Sequence, residues 1–305
     1  MTNHINDGFL EEQDGHTVYW RTFGNPNGKP LLFFHGGPGG GFNEDYLHLF
    51  DLTKINFITF DQRGTGRSEP FGSIEKNTTI DILRDAERLR KHLQLEKWIV
   101  AGHSWGGTLS LQYARLFPDK CEKVFVSAYF GGHPENQDWA YGGVRIFIPE
   151  EIAAFENLRP QHEQKPVSTW ILDTLNDPNA DVDVLKEIVY RFNCVAAKIT
   201  RLSPVAVNRA AIGPKEIAKA KIFFHYVVGD FFMSPPLSLV EGFEKVTIPI
   251  EALHGFLDLD APPLQIIEMQ KHIPQLKITQ VAGGHNLMEE PMQSSYRALL
   301  RQLIP

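Results

Sequence analysis

Seven short runs of β-branched, aromatic and aliphatic residues recur along the chain: TVYWRTF (17–23), LLFFH (31–35), INFITF (55–60), WIVA (98–101), KVFVSA (123–128), IEALH (250–254) and KITQV (277–281). Several contain almost no polar residue. A strand wet on one face alternates apolar and polar positions, whereas a strand covered on both faces reads as a continuous apolar run. Between the runs the period changes. In TTIDILRDAERLRKHL (78–93), Ile82, Asp85, Ala86, Leu89 and Leu93 fall near the 3.6-residue repeat of a helix. Strands alternating with helices predict an α/β fold with a mostly parallel sheet.

The alternation breaks between the fifth run and the sixth. Residues 134–242 are rich in helical pattern, as in EEIAAFENL, VDVLKEIVYRFNCVAAKITRL and PKEIAKAKIFFHYVV, and are punctuated by prolines. The expected organisation is a core of 1–133 and 243–305, with 134–242 inserted as a helical cap.

Composition narrows the function classes. The chain has 305 residues, 42% of them hydrophobic, and a net charge of −7. That is enough apolar material for a large core, and the acidic balance without a basic stripe argues against nucleic acid as partner. No apolar run approaches the roughly 18 residues of a membrane span. The opening MTNHINDGFLEEQDG has no secretory pattern, and Cys121 and Cys194 have no metal-ligand spacing. A cytoplasmic protein with free thiols and no cofactor is the expectation. The histidines form no HExxH or other metal pair, so no metal is implied.

The candidate chemistry begins with GHSWG, residues 102–106, which fits G-x-S-x-G. The pattern alone is weak, but WIVA precedes it as a strand and GGTLSLQYARLF follows as a helix that Pro118 stops. Ser104 then sits on a sharp strand-to-helix turn, with its oxygen lifted above the sheet and the Trp105 amide aimed at the same point. The glycine-rich HGGPGGGF after an earlier strand lacks the G-K-[ST] of a phosphate loop. It fits better as the source of a second oxyanion donor, with Gly37 the candidate beside Trp105, and His35 as a support for the loop.

A serine nucleophile needs a base, and the base an orienting acid. In this architecture they follow the serine in the order acid, then histidine. HGFLDLDAPP follows the sixth run and VAGGHNLMEEP the seventh, which makes Asp258 and His285 the candidates, with Asp260 a second choice for the acid. A non-catalytic binding module would predict damage to one of these parts, and none is damaged. A dehalogenase-type site would need aspartate at position 104.

HGGPGGG (35–41), FDQRGTGRS (60–68), NTT (77–79), GHSWGGTL (102–109), HGFLD (254–258), GGH (283–285) and DWAYGGVRIFIPE (138–150) together resemble the prolyl aminopeptidases, or proline iminopeptidases. The resemblance covers most of the chain. It implies the α/β-hydrolase fold, serine-peptidase chemistry on a small or short-peptide substrate, and a triad on Ser104, Asp258 and His285. It also implies oxyanion amides at Gly37 and Trp105, Asp61 and Arg63 as anchors beside the site, and aromatic contacts to the proline ring from Phe130, Trp139 and Tyr141.

The chain departs from that family in its cap. The family holds the free, charged imino group with cap glutamates, because a buried cation without a carboxylate is too costly. The stretch like I-E-N-H-Y is Ile222-Phe223-Phe224-His225-Tyr226 here, and the stretch like F-[LF]-E is Phe231-Phe232-Met233. A third acid falls near Phe192 and Ala196. Phe223 and Phe224 therefore suggest an apolar pocket, and an esterase or amidase for neutral acyl substrates is the alternative reading. Asp230, Glu241 and Glu244 are the nearby carboxylates that could substitute.

Overall fold

The computed structural model describes residues 4–131, 139, 143–203, 205–235, 237 and 240–304. Its centre is one eight-stranded sheet: β1 (His4–Phe9), β2 (Tyr19–Gly24), β3 (Lys29–Phe34), β4 (Ile55–Phe60), β5 (Trp98–His103), β6 (Cys121–Ser127), β7 (Ile250–Gly255) and β8 (Leu276–Val281). Their order across the sheet is β1-β2-β4-β3-β5-β6-β7-β8. β1 and β2 run antiparallel at one edge, and from β4 to β8 every neighbouring pair is parallel.

The near-continuous apolar runs have the expected cause. Leu32, Phe34, Val100, Val124 and Val126 face one buried cluster, while Leu31, Phe33, Ile99, Ala101 and Phe125 face another on the opposite side. The first face is covered by α1 (Thr79–His92), α2 (Trp105–Leu116) and α7 (Leu264–His272), through Ile82, Leu89, Leu109 and Ile266. The second is covered by α8 (Met292–Leu303), through Tyr296 and Leu300. The Asp81 carboxylate accepts from the Thr78 N–H and hydroxyl, which fixes the start of α1.

Among the described residues, four α-helices lie between β6 and β7: α3 (Pro149–Glu156), α4 (Val167–Asn176), α5 (Val182–Ile199) and α6 (Pro214–Val228). They share a third cluster built on Ile152, Phe155, Ile171, Ile188, Val195 and Phe224. α6 joins this cluster to the sheet, since its Ile222 and Tyr226 pack in the first cluster and its Phe224 in the third. The Tyr226 hydroxyl donates to Asn77 Oδ1 at 3.1 Å, tying α6 to the loop before α1. No helix among the described residues is long and apolar enough to cross a membrane.

Several elements lie outside the sequence reading, α8 at the end of the chain among them. β1 carries HINDGF, with almost every residue exposed, so an edge strand held by its backbone shows no apolar period. α4 was not among the helical patterns, because only Ile171 and Leu175 are buried along its ten residues.

Candidate active site

Parallel strands bring their carboxyl-end loops to one edge of the sheet. The loops after β3, β5, β7 and β8 carry the glycine run, Ser104, the two aspartates and His285, so all the predicted chemistry collects at that edge.

Ser104 joins β5 to α2 with φ 57° and ψ −126°. A non-glycine residue there stores roughly 1–3 kcal/mol of strain. Packing enforces it. A Cβ on Gly102 would stand 2.1 Å from the Gly106 carbonyl oxygen, and one on Gly106 would stand 2.1 Å from that of Phe34. The two glycines let helix, elbow and sheet approach more closely than any side chain allows. The Ser104 N–H donates to Ser127 O at 2.9 Å, and its carbonyl accepts from the Gly107 N–H at 2.8 Å.

The glycine loop lies against this turn: a Cβ on Gly36 would sit 3.5 Å from Ser104 Cβ. His35, fully buried, holds the loop through its Nδ1 to Gly36 O at 2.8 Å and its carbonyl to Gln62 Nε2 at 2.9 Å. Burial pushes the His35 imidazole down in pKa. Among the described residues, neither the Gly37 nor the Trp105 N–H has a hydrogen-bond acceptor. Arg63 is buried, with Nε and Nη2 on the Asp85 carboxylate at 2.7 and 3.0 Å. Asp61 accepts from the Arg67 N–H at 2.9 Å. Both therefore sit among scaffold contacts.

Asp258 Oδ2 lies 2.8 Å from His285 Nδ1, while its Oδ1 accepts the N–H groups of Asp260 and Ala261 at 3.0 and 2.8 Å. These bonds immobilise the carboxylate and point it at the ring. The second-choice acid, Asp260, takes the other nitrogen, with Oδ2 3.2 Å from His285 Nε2. Burial alone would lower the His285 pKa, but the charges of Asp258 and Asp260 and the bond to Asp258 raise it to about 9. Burial raises the pKa of Asp260. His103, whose ring stands 5.1 Å from His285, is pushed well down by burial and by His285 itself.

Ser104, His285, Asp260 and the glycines from Gly36 to Gly41 line a cavity of about 520 Å³. Its far wall comes from two helical stripes. α5 presents Phe192, Val195, Ala196 and Ile199, and α6 presents Glu216, Lys219, Ala220 and Phe223. Each stripe follows the i, i+3, i+4, i+7 spacing of one helix face. Arg201 also lines the cavity.

The predicted pocket residues separate. Phe223 is on the wall. Phe224, one residue on and so about 100° around the helix, is instead buried against Phe155 and Phe192. Phe130 packs on Phe231 with ring centres 5.0 Å apart, and Trp139 donates its indole N–H to Leu259 O at 2.7 Å. Neither lines the cavity. Tyr141 lies outside the described residues. Of the places where the family's cap acids were expected, Phe223 and the pair Phe192 and Ala196 line the wall, whereas Met233 packs against the first cluster instead. Sequence reasoning missed Glu216, Lys219 and Arg201 there, although the α6 stripe was present in the spacing.

A family model described as the alpha/beta hydrolase fold matches residues 29–144. The chain is 32% identical to a proline iminopeptidase of Xanthomonas citri, over 92% of this chain and 91% of that one. It is 30% identical to a proline iminopeptidase of Arabidopsis thaliana, over 93% of this chain and 76% of that one. Among solved structures, a proline iminopeptidase of Mycobacterium smegmatis matches 98% of this chain and 97% of its own, with TM-score 0.63 and 20% identity. Fold, site geometry and relatives agree: this chain is an α/β-hydrolase-fold enzyme that belongs to the proline iminopeptidase family.

Proposed function

We propose that the protein is a serine hydrolase working by acyl transfer, and that it releases N-terminal proline from short peptides. Ser104 is the nucleophile, His285 the general base, and Asp258 the group that orients His285. His285 Nε2 takes the Ser104 proton as the oxygen attacks the carbonyl carbon. The Gly37 and Trp105 amides hold the oxyanion, about 3 kcal/mol for each donor. The imidazolium returns the proton to the leaving amine, and water activated by His285 then clears the acyl-enzyme.

The observation that carries this reading is that a strained Ser104 and an Asp258-bound His285 face one cavity with the glycine loop. The proline assignment rests on the named relatives. We assign the helices within 134–242 as the cap, supported by the wall that α5 and α6 supply. The two thiols, Cys121 and Cys194, are unpaired, which suits a reducing, cytoplasmic setting.

One observation favours a second reading, an esterase or amidase for neutral acyl groups: Phe192, Ala196 and Phe223 make the cavity wall apolar at two of the three places where an acid was expected. The ratio of kcat/KM for prolyl-naphthylamide to that for its N-acetyl derivative, with Ser104→Ala as blank, separates the two. The peptidase predicts a strong preference for the free imino group. Equal or better turnover of the acetylated compound would establish the neutral-acyl reading instead.

A further inference from the structure

A prolyl peptidase must give its substrate's cationic nitrogen a carboxylate, and here the cap positions for it are apolar. The nearby candidates do not serve. Asp230, Glu241 and Glu244 occupy exposed positions and do not line the cavity. Among the described residues, two carboxylates do line it, Glu216 and Asp260. Glu216 accepts from the Gly213 N–H at 3.1 Å and caps the first turn of α6. Asp260 stands 3.2 Å from His285 Nε2, with a quarter (26%) of its side chain still open.

That position is chemically specific. The imino nitrogen is joined to the scissile carbonyl carbon through one Cα, so the two lie about 2.5 Å apart. The carbonyl carbon must sit beside Ser104, within reach of the nitrogen of His285 that serves it. A carboxylate within hydrogen-bond distance of His285 Nε2 is therefore also close to where the imino group must sit. The same contact has a second consequence. A ring nitrogen that donates its proton to Asp260 cannot accept one from Ser104.

We propose that Asp260 receives the substrate's cationic imino nitrogen, and that this exchange of partners frees His285 Nε2 to act as base; the proposal rests on the prolyl-peptidase reading above. In the free enzyme the ring is gripped between two aspartates. The other groups facing it, His103 and, through Asp258, His254 at 3.7 Å, are pushed toward the neutral form by burial. When the cation takes Asp260, His285 loses one of its two anionic neighbours. The balance is one proton: an imidazolium paired with Asp260 becomes a neutral imidazole, the Asp260 carboxylate pairs with the substrate cation, and one proton leaves to solvent. Ser104 then has an acceptor. A neutral N-terminus cannot draw Asp260 away, so selectivity for the cation and activation of the base are one event.

The test measures kcat/KM against pH for prolyl-naphthylamide and its N-acetyl derivative, using the wild type, Asp260→Asn and Asp260→Ala. The expected result has three parts. The wild type prefers the free imino compound. Both variants lose roughly 30-fold or more on it, as when one partner of a buried charge pair is removed. On the acetylated compound they gain, and the acid limb of its pH profile, near pH 9 in the wild type, moves lower. A merely structural role for Asp260 would depress both substrates together and leave the limb in place. A wild-type preference that survives in both variants would overturn the proposal while leaving the peptidase reading intact. A wild type with no preference would overturn the peptidase reading and the proposal with it.

Discussion

The Asp258 carboxylate meets His285 Nδ1 at 2.8 Å and is itself held by the backbone N–H groups of Asp260 and Ala261. Whenever the ring is neutral, that bond selects the Nδ1–H tautomer, the form in which Nε2 can accept a proton. Asp258→Asn keeps the shape but offers an N–H where the ring needs an acceptor. We expect kcat to fall by roughly 10³–10⁴-fold, with little change in melting temperature. A loss below tenfold would show that Asp258 does not orient the base.

The elbow depends on two glycines in contact. A methyl group on Gly102 would stand 2.1 Å from the Gly106 carbonyl oxygen and 2.3 Å from its carbon, which as backbone cannot turn aside. Gly102→Ala should cost about 3 kcal/mol or more, read as a lower urea midpoint. A variant of wild-type stability would mean that the strand and helix are not packed this closely.

Arg63 and Asp85 form a doubly hydrogen-bonded pair with both side chains fully buried. Asp85→Ala leaves the buried guanidinium with only the Lys76 carbonyl and the half-exposed Asp14 carboxylate and should destabilise by about 3 kcal/mol. Activity per folded molecule should stay within a few-fold of wild type, since neither residue lines the cavity. A specific loss of kcat at unchanged stability would give the pair a place in the chemistry.

Against the effect of burial, the charges of Asp258 and Asp260 push the His285 pKa up to about 9 in the folded chain, against 6.5 ordinarily. A raised basic group stabilises the fold below its unfolded pKa, and that stability is lost as pH rises through the folded value. The stability advantage of wild type over His285→Gln should therefore be full at pH 6 and fade by pH 9.5, a change of about 3 kcal/mol at most. An advantage that grows with pH would contradict the paired aspartates.

Phe223 stands on the cavity wall where a family acid was expected. Phe223→Glu should raise the preference for free-imino over acetylated substrate by roughly tenfold, at some cost in stability, since Phe223 also packs against Phe192 at 4.7 Å. An unchanged ratio would mean that this wall does not reach the substrate's nitrogen.

What could be read from the sequence divides along a physical line. Ser104 and its glycines were legible because the elbow is local: strand, turn and helix all leave marks within about 20 residues. Asp258 and His285 were legible because parallel strands must deliver their loops to one edge. β1 was not, because an exposed edge strand needs no apolar pattern. Little of the pocket was legible: of the predicted residues that the structure describes, only Phe223 lines it. Phe223 and Phe224 look alike in sequence, yet one helical step turns the first to the cavity and the second into the helical core. The contact of Asp260 with His285 Nε2 had no signal of its own, since it depends on how two loops meet.

The central claim is that Ser104 is the residue acylated. The direct measurement is to treat the protein with a fluorophosphonate, digest it, and locate the adduct by mass spectrometry, with His285→Ala in parallel. The prediction is one stoichiometric adduct on Ser104, formed far more slowly in His285→Ala. An adduct on another residue, or none on Ser104 in protein that hydrolyses its substrate, would contradict it.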